Sequence, residues 1–104
     1  MNATKQAYDF LEAHREGSYE ELCCTVLALD GCMVQDATFF LAWIPEDGGR
    51  VAHVLFALGD IRKMTAYIKA MASIHGIDSV KWERSIVGKH ESAHVFKISN
   101  LPNL

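Results

Sequence analysis

Apolar residues recur along this chain first at helical spacing and then at strand spacing. Ala7, Phe10 and Leu11 fall at i, i+3 and i+4, with Tyr8 on the flank. That spacing predicts a first helix, with Thr4 as its cap, His14 and Arg15 in its last turn and Gly17 as its stop. Ser18 followed by Glu21 has the form of a capping box, in which each side chain reaches the other residue's backbone N–H. A second helix then buries Leu22, Val26 and Leu29 and ends at Gly31.

From Cys32 the period changes. Cys32–Gln35 is expected as a short strand, with a tight turn at Gln35-Asp36. Thr38–Ile44 is β-branched and aromatic without polar alternation, the pattern of a strand covered on both faces, and Pro45 ends it. Glu46-Asp47-Gly48-Gly49 turns the chain into Arg50–Leu58. There Ala52, Val54, Phe56 and Leu58 alternate with Val51, His53, Leu55 and Ala57, as in a central strand.

Gly59-Asp60 then turns into a third helix capped by Asp60. Its apolar stripe is Ile61, Met64, Thr65, Ile68, Met71 and Ala72, its outer side carries Arg62, Lys63 and Lys69, and Gly76 closes it. Ser79–Arg84 is expected as a strand with Val80 and Trp82 on one face and Lys81 and Glu83 on the other. Val87–Ser92 reads as a polar loop, His94–Ile98 as a last strand, and Asn100–Leu104 as a tail. The order is α-α-β-β-β-α-β-β across a single domain of residues 1–104. It predicts an α+β fold: a mainly antiparallel sheet of about five strands, covered by two N-terminal helices and one long central helix.

Composition narrows the classes of function. With 104 residues, half of them apolar, and a net charge of −3, the chain can bury its own core and lacks the basic balance of general nucleic-acid binders. Met1-Asn2-Ala3-Thr4-Lys5 does not open a signal peptide, and no apolar run approaches the roughly 20 residues that span a bilayer. Three cysteines without a CxxC spacing fit a reducing, cytoplasmic setting. Cys23 and Cys24 point about 100° apart on a helix, which suits small core residues better than a shared metal. No metal site is expected.

The order of elements from Ser18 to Ile98 resembles the core of the GNAT acyltransferase family. The likeness is strongest in Val51–Trp82, where that family places its central β–α–β unit, and in Gly76-Ile77-Asp78-Ser79-Val80, which resembles its route into the following strand. Short GNAT-like proteins are encoded by phages and prophages, and the chain is similar to those. The family binds coenzyme A pyrophosphate with a [QR]-x-x-G-x-[GA] loop at a helix N-terminus. Here Phe56-Ala57-Leu58-Gly59-Asp60-Ile61-Arg62 has one glycine, no preceding basic residue, and a carboxylate where the pyrophosphate would lie.

The leading expectation is therefore a noncatalytic interaction or assembly protein of phage or prophage type, with a protein partner or self-association, no cofactor and no role at nucleic acid or membrane. Two alternatives accompany it: an N-acyltransferase using acetyl-coenzyme A, and an inhibitor of a host protein. In the acyltransferase, Gly59, Ile61, Arg62 and Lys63 would hold the cofactor, and His53 or Glu83 would be the base. Otherwise His53 is a core-edge histidine, Glu83 a cross-strand partner of Lys81, Arg84 or Lys97, and Tyr67 a surface aromatic. His90 and His94 straddle loop and strand, which deprives them of the shared helical face a zinc pair uses.

Overall fold

A computed structural model of the chain describes residues 2–82, 85–86, 89–90 and 94–101. Three helices, α1 (Ala3–His14), α2 (Ser18–Ala28) and α3 (Ile61–His75), enclose one mixed sheet. Its strands are β1 (Cys32–Gln35), β2 (Phe39–Glu46), β3 (Val51–Gly59), β4 (Ser79–Trp82) and β7 (His94–Lys97), in the order β1-β2-β3-β4-β7. Neighbouring pairs are antiparallel except β3 and β4, which run parallel on either side of α3. The α+β architecture read from the sequence is the architecture observed. A separate two-stranded ribbon joins β5 (Ser85–Ile86) to β6 (Lys89–His90), so the segment expected as loop contributes a strand.

The core is built on both faces of β2. Phe39, Leu41 and Trp43 face α3 and pack with Met64, Ile68, Met71, Ala72 and Val80. Phe40 and Ala42 face the other way and pack with Ala7 of α1 and Val26 of α2. This follows from strand geometry, because successive side chains leave opposite faces and every residue from Phe39 to Ile44 is apolar. Phe40 is wholly buried, with the Phe56 and Tyr19 rings 5.8 Å and 6.2 Å away. The strand also runs on through Pro45 to Glu46. The last β1 partner, Cys32, lies opposite Trp43, so the β1-facing side at Pro45 is past that ladder.

Local capping departs from the expected pattern at the first two helices. Asn2 caps α1, its Oδ1 accepting from Thr4 N at 2.9 Å, while the Thr4 hydroxyl donates to the Asp36 carbonyl at 3.3 Å. Thr4 is thus a tie to the β1–β2 turn. The capping box at Ser18 does not form: Gly17 is the N-cap, Ser18 Oγ donates to Leu11 O, and Glu21 pairs with Arg15. Both side chains serve the α1–α2 corner, where Gly17 N also donates to Glu12 Oε2 at 2.6 Å. Of the expected α2 stripe, Val26 is buried and Leu29 is exposed. Gly31 matters for proximity, since a Cβ there would strike the Trp43 carbonyl oxygen and lie 2.8 Å from Ile44 Cγ2.

The third helix matches its sequence closely. Asp60 Oδ1 accepts from Arg62 N at 3.0 Å and Lys63 N at 3.3 Å, and Gly76 closes the helix in the left-handed region. Its buried residues are Met64, Thr65, Ile68, Met71 and Ala72. Tyr67, expected at the surface, is half-buried instead. Its ring sits 6.0 Å from Phe39 and its hydroxyl 3.9 Å from Cys32 Sγ. Burial, and then the neighbouring Cys32, raise the Tyr67 phenol above its ordinary value. The buried Trp43 indole N–H has no hydrogen-bond partner among the described residues, yet lies close enough to the phenol to oppose that rise in part.

Candidate functional site

Strict alternation fails once along β3, and the site follows from that failure. Trp43 pairs with Val54 and Ala42 with Phe56, so Leu55 is an extra residue without a partner on β2. Ala52 and Val54 face α3, whereas Leu55 and Phe56 both lie on the α1/α2 side. The expected single face of Ala52, Val54, Phe56 and Leu58 is therefore divided. A bulge of this kind bends the strand and sharpens its twist. Among the described residues, Val51–Val54 lie opposite Ser79–Trp82 of β4, and Phe56–Gly59 pair with β2.

Between β3 and α3 lies a cleft of about 430 Å³, a size suited to a small ligand. Its walls are Leu41, Val54, Ile61, Met64, Ile68 and Trp82, with Thr65 as a polar side chain among them. Leu101, expected in a loose tail, closes one end and packs on the core. Apolar surface continues out of the cleft, because Ile61 is 61% exposed and Phe10, stacked on Phe56 at 5.8 Å, is 60% exposed.

Gly59 ends β3 with φ +114°, and a Cβ there would lie 2.5 Å from the Thr38 carbonyl oxygen and 2.7 Å from Phe39 Cα. Its lack of a side chain thus serves the close approach of β3 to the β1–β2 turn. Asp60 N donates to the same Thr38 carbonyl at 2.9 Å. The Arg62 and Lys63 amides, which a bound pyrophosphate would need, already donate to the Asp60 carboxylate. The expected cofactor residues Gly59, Ile61, Arg62 and Lys63 are adjacent in space, but only Ile61 lines the cleft.

His53 is elsewhere. It precedes Gly59 by six residues, about 20 Å of strand, and faces away from the cleft. Its Nδ1 lies 3.2 Å from Glu46 Oε1, and Lys81 Nζ lies 3.3 Å from Glu46 Oε2. Cross-strand register makes this row: His53 is opposite Ile44 on β2 and Lys81 on β4, with Glu46 one alternate position on. Burial alone would raise the Glu46 carboxyl, but Lys81 and His53 outweigh it and hold the group below its ordinary value. Lys81 thus pairs with Glu46. Glu83 itself lies outside the described residues.

The remaining candidates are dispersed. All three cysteines are free thiols, and Cys24 is exposed, contrary to its expected burial. Among the described residues no group of three His, Cys, Asp or Glu side chains is placed to hold a metal ion, and no helix is long and apolar enough to cross a membrane. The arrangement is an apolar cleft beside β3, separated from the acid–base row by the thickness of the sheet. Neither Leu55's extra position nor Glu46's role was signalled in the sequence, because a continuous apolar run hides a bulge and a turn residue hides a strand end. No protein-family model, curated protein or solved structure matches the chain.

Proposed function

We propose that this chain is a noncatalytic interaction domain that holds a partner at the cleft beside β3. One observation carries the reading: an apolar cleft of about 430 Å³ lies between β3 and α3, and Ile61 at its wall is 61% exposed. Exposed apolar surface around a concave site is where partners commonly bind. The setting proposed is the cytoplasm of a phage-infected or lysogenic cell, where the domain serves in assembly or blocks a host protein through the same surface.

A second reading, an N-acyltransferase using acetyl-coenzyme A, is favoured by the position of Ile61 at both the cleft wall and the first turn of α3. It would require Gly59, Arg62 and Lys63 to take the pyrophosphate in place of the Asp60 carboxylate. With His53 on the far face, Glu83 would be left as the base. Thermal unfolding in the presence of acetyl-coenzyme A separates the two, because a ligand specific to the folded state raises the midpoint as its concentration passes Kd. The interaction domain shows no shift at millimolar cofactor. A saturable rise, together with turnover of the thioester, would replace it with the enzyme.

A further inference from the structure

We infer that Cys32 is a site of reversible oxidation by a hydroperoxide, and that Trp43 and Tyr67 hold the sulfenic acid formed there. The three side chains meet where β1, β2 and α3 come together, and none of them lines the cleft beside β3.

Register brings the first pair together. Cys32 of β1 lies directly opposite Trp43 of β2, so both side chains leave the sheet on the same face, toward α3. Tyr67 reaches the pair from α3, its hydroxyl 3.9 Å from Cys32 Sγ with either atom able to donate. The Phe39 ring, 6.0 Å from that of Tyr67, fixes this approach. Cys32 is half-buried on an outer strand of the sheet, which gives a molecule as small as hydrogen peroxide a route to the sulfur.

The indole supplies the demand for an acceptor. Trp43 is 8% exposed, and among the described residues its buried Nε1–H has no hydrogen-bond partner. Buried donors without an acceptor are costly, and native proteins leave few of them. This one is directed at the thiol–phenol pair, since it lies close enough to the Tyr67 oxygen to oppose the effect of burial on the phenol. Burial and the neighbouring Cys32 raise the Tyr67 phenol, which therefore keeps its proton and remains a donor at neutral pH. Sulfur is a weak acceptor for these two donors. An oxygen bonded to that sulfur is a strong one, most of all when it carries charge.

The chemistry balances with one co-reactant. The Cys32 thiolate attacks one oxygen of hydrogen peroxide, and the S–O bond forms as the O–O bond breaks. The second oxygen leaves as hydroxide and takes up the proton that the thiol released, giving water. Sulfur is oxidised by two electrons and peroxide is reduced by two. Two equivalents of a low-molecular-weight thiol reverse the step. The first displaces water to give a mixed disulfide, and the second releases Cys32 as the thiol with the reductant as its own disulfide.

The other cysteines supply an internal comparison. Cys24 is exposed, so access alone would favour it over Cys32. Cys23 has a phenol of its own, Tyr19, which burial and that thiol raise in the same direction. Tyr19 packs with Phe40 on the opposite face of β2, away from Trp43. Both thiols thus have a tyrosine, and the orphaned indole N–H stands at Cys32. The sheet also divides Cys32 from Cys23, which favours a trapped sulfenic acid over a disulfide between them.

The test treats the full chain with hydrogen peroxide in the presence of dimedone and maps the adducts by peptide mass spectrometry. Cys32 is expected to carry the first adduct, at a rate roughly tenfold above Cys23 or Cys24. Tyr67→Phe keeps the ring on Phe39 and removes the hydroxyl, and Trp43→Phe removes the N–H. Each should slow labelling of Cys32 by roughly threefold to tenfold, while Tyr19→Phe leaves it unchanged. Circular dichroism checks the fold of each variant, and Tyr67→Phe, which loses a single oxygen atom, decides the matter if Trp43→Phe does not fold. In the ¹⁵N-labelled protein the Trp43 indole N–H signal should move on oxidation and return with a reducing thiol, while the Trp82 signal stays in place. Adducts at Cys24 before Cys32, wild-type labelling in Tyr67→Phe, or a stationary Trp43 signal would each overturn the assignment of this site.

Discussion

Val54 pairs with Trp43 on one side and Trp82 on the other, and the next residue, Leu55, has no partner on β2. An extra residue on β3 keeps its pairing with β2 by bending and twisting the strand. The bulge sits where β3 begins to line the cleft against α3.

Gly59 fixes where β3 ends. Gly59→Ala combines a disfavoured φ with a Cβ pressed against Thr38 O and Phe39 Cα, neither of which is the end of a flexible side chain. Strain and overpacking together should cost about 2–4 kcal/mol and lower Tm by roughly 10–20 °C. Gly76→Ala, also at positive φ but facing open space, should cost only about 1 kcal/mol. Thermal unfolding of the two variants checks the difference, and equal losses would show that contact with the β1–β2 turn contributes nothing.

Asp60 is read as a helix cap and not as a ligand-binding residue. Asp60→Ala should cost about 1 kcal/mol, or roughly 4–8 °C in Tm. Asp60→Asn should cost much less, because its amide oxygen can accept from the same Arg62 and Lys63 amides. Neither variant should acquire a thermal shift with acetyl-coenzyme A. A shift in Asp60→Asn alone would mean that the carboxylate charge was excluding a pyrophosphate from a competent site.

Glu46 links the sheet to pH. Its folded-state carboxyl is held below the ordinary value of 4.5 by Lys81 and His53, against an opposing effect of burial. A lowered folded value means that the charged form contributes stability above the ordinary value. That contribution is lost as pH falls through the lower, folded value. Glu46→Gln should therefore be less stable than wild type at neutral pH and converge with it in acid. Urea unfolding across a pH series reads this directly, and parallel stability curves at all pH values would rule out the Glu46–Lys81–His53 row as its source.

Much of the fold was legible in the sequence because it depends on local or periodic signals. The stripe and both ends of α3 followed from Asp60, Gly76 and the spacing between them. The two-sided burial of Phe39–Ile44 followed from the absence of polar residues, and it makes β2 the strand that joins the two halves of the core. The capping box at Ser18 was misread because Ser18 and Glu21 had nearer partners across the α1–α2 corner, in Leu11 O and Arg15. Competition among hydrogen-bond partners is resolved only once the chain has folded.

By itself, then, the sequence determined the three helices, the strands of the main sheet and the Asp60 cap of α3. Tertiary structure alone decided the site. Every residue from Val54 to Leu58 is apolar, so hydrophobicity imposes no choice of face at Leu55, and the extra residue is placed by cross-strand pairing with β2. Likewise His53, Glu46 and Lys81 meet only through the register of three strands. Local patterns report the preferences of one segment, whereas register is a property of two, and both the bulge and the charged row depend on register.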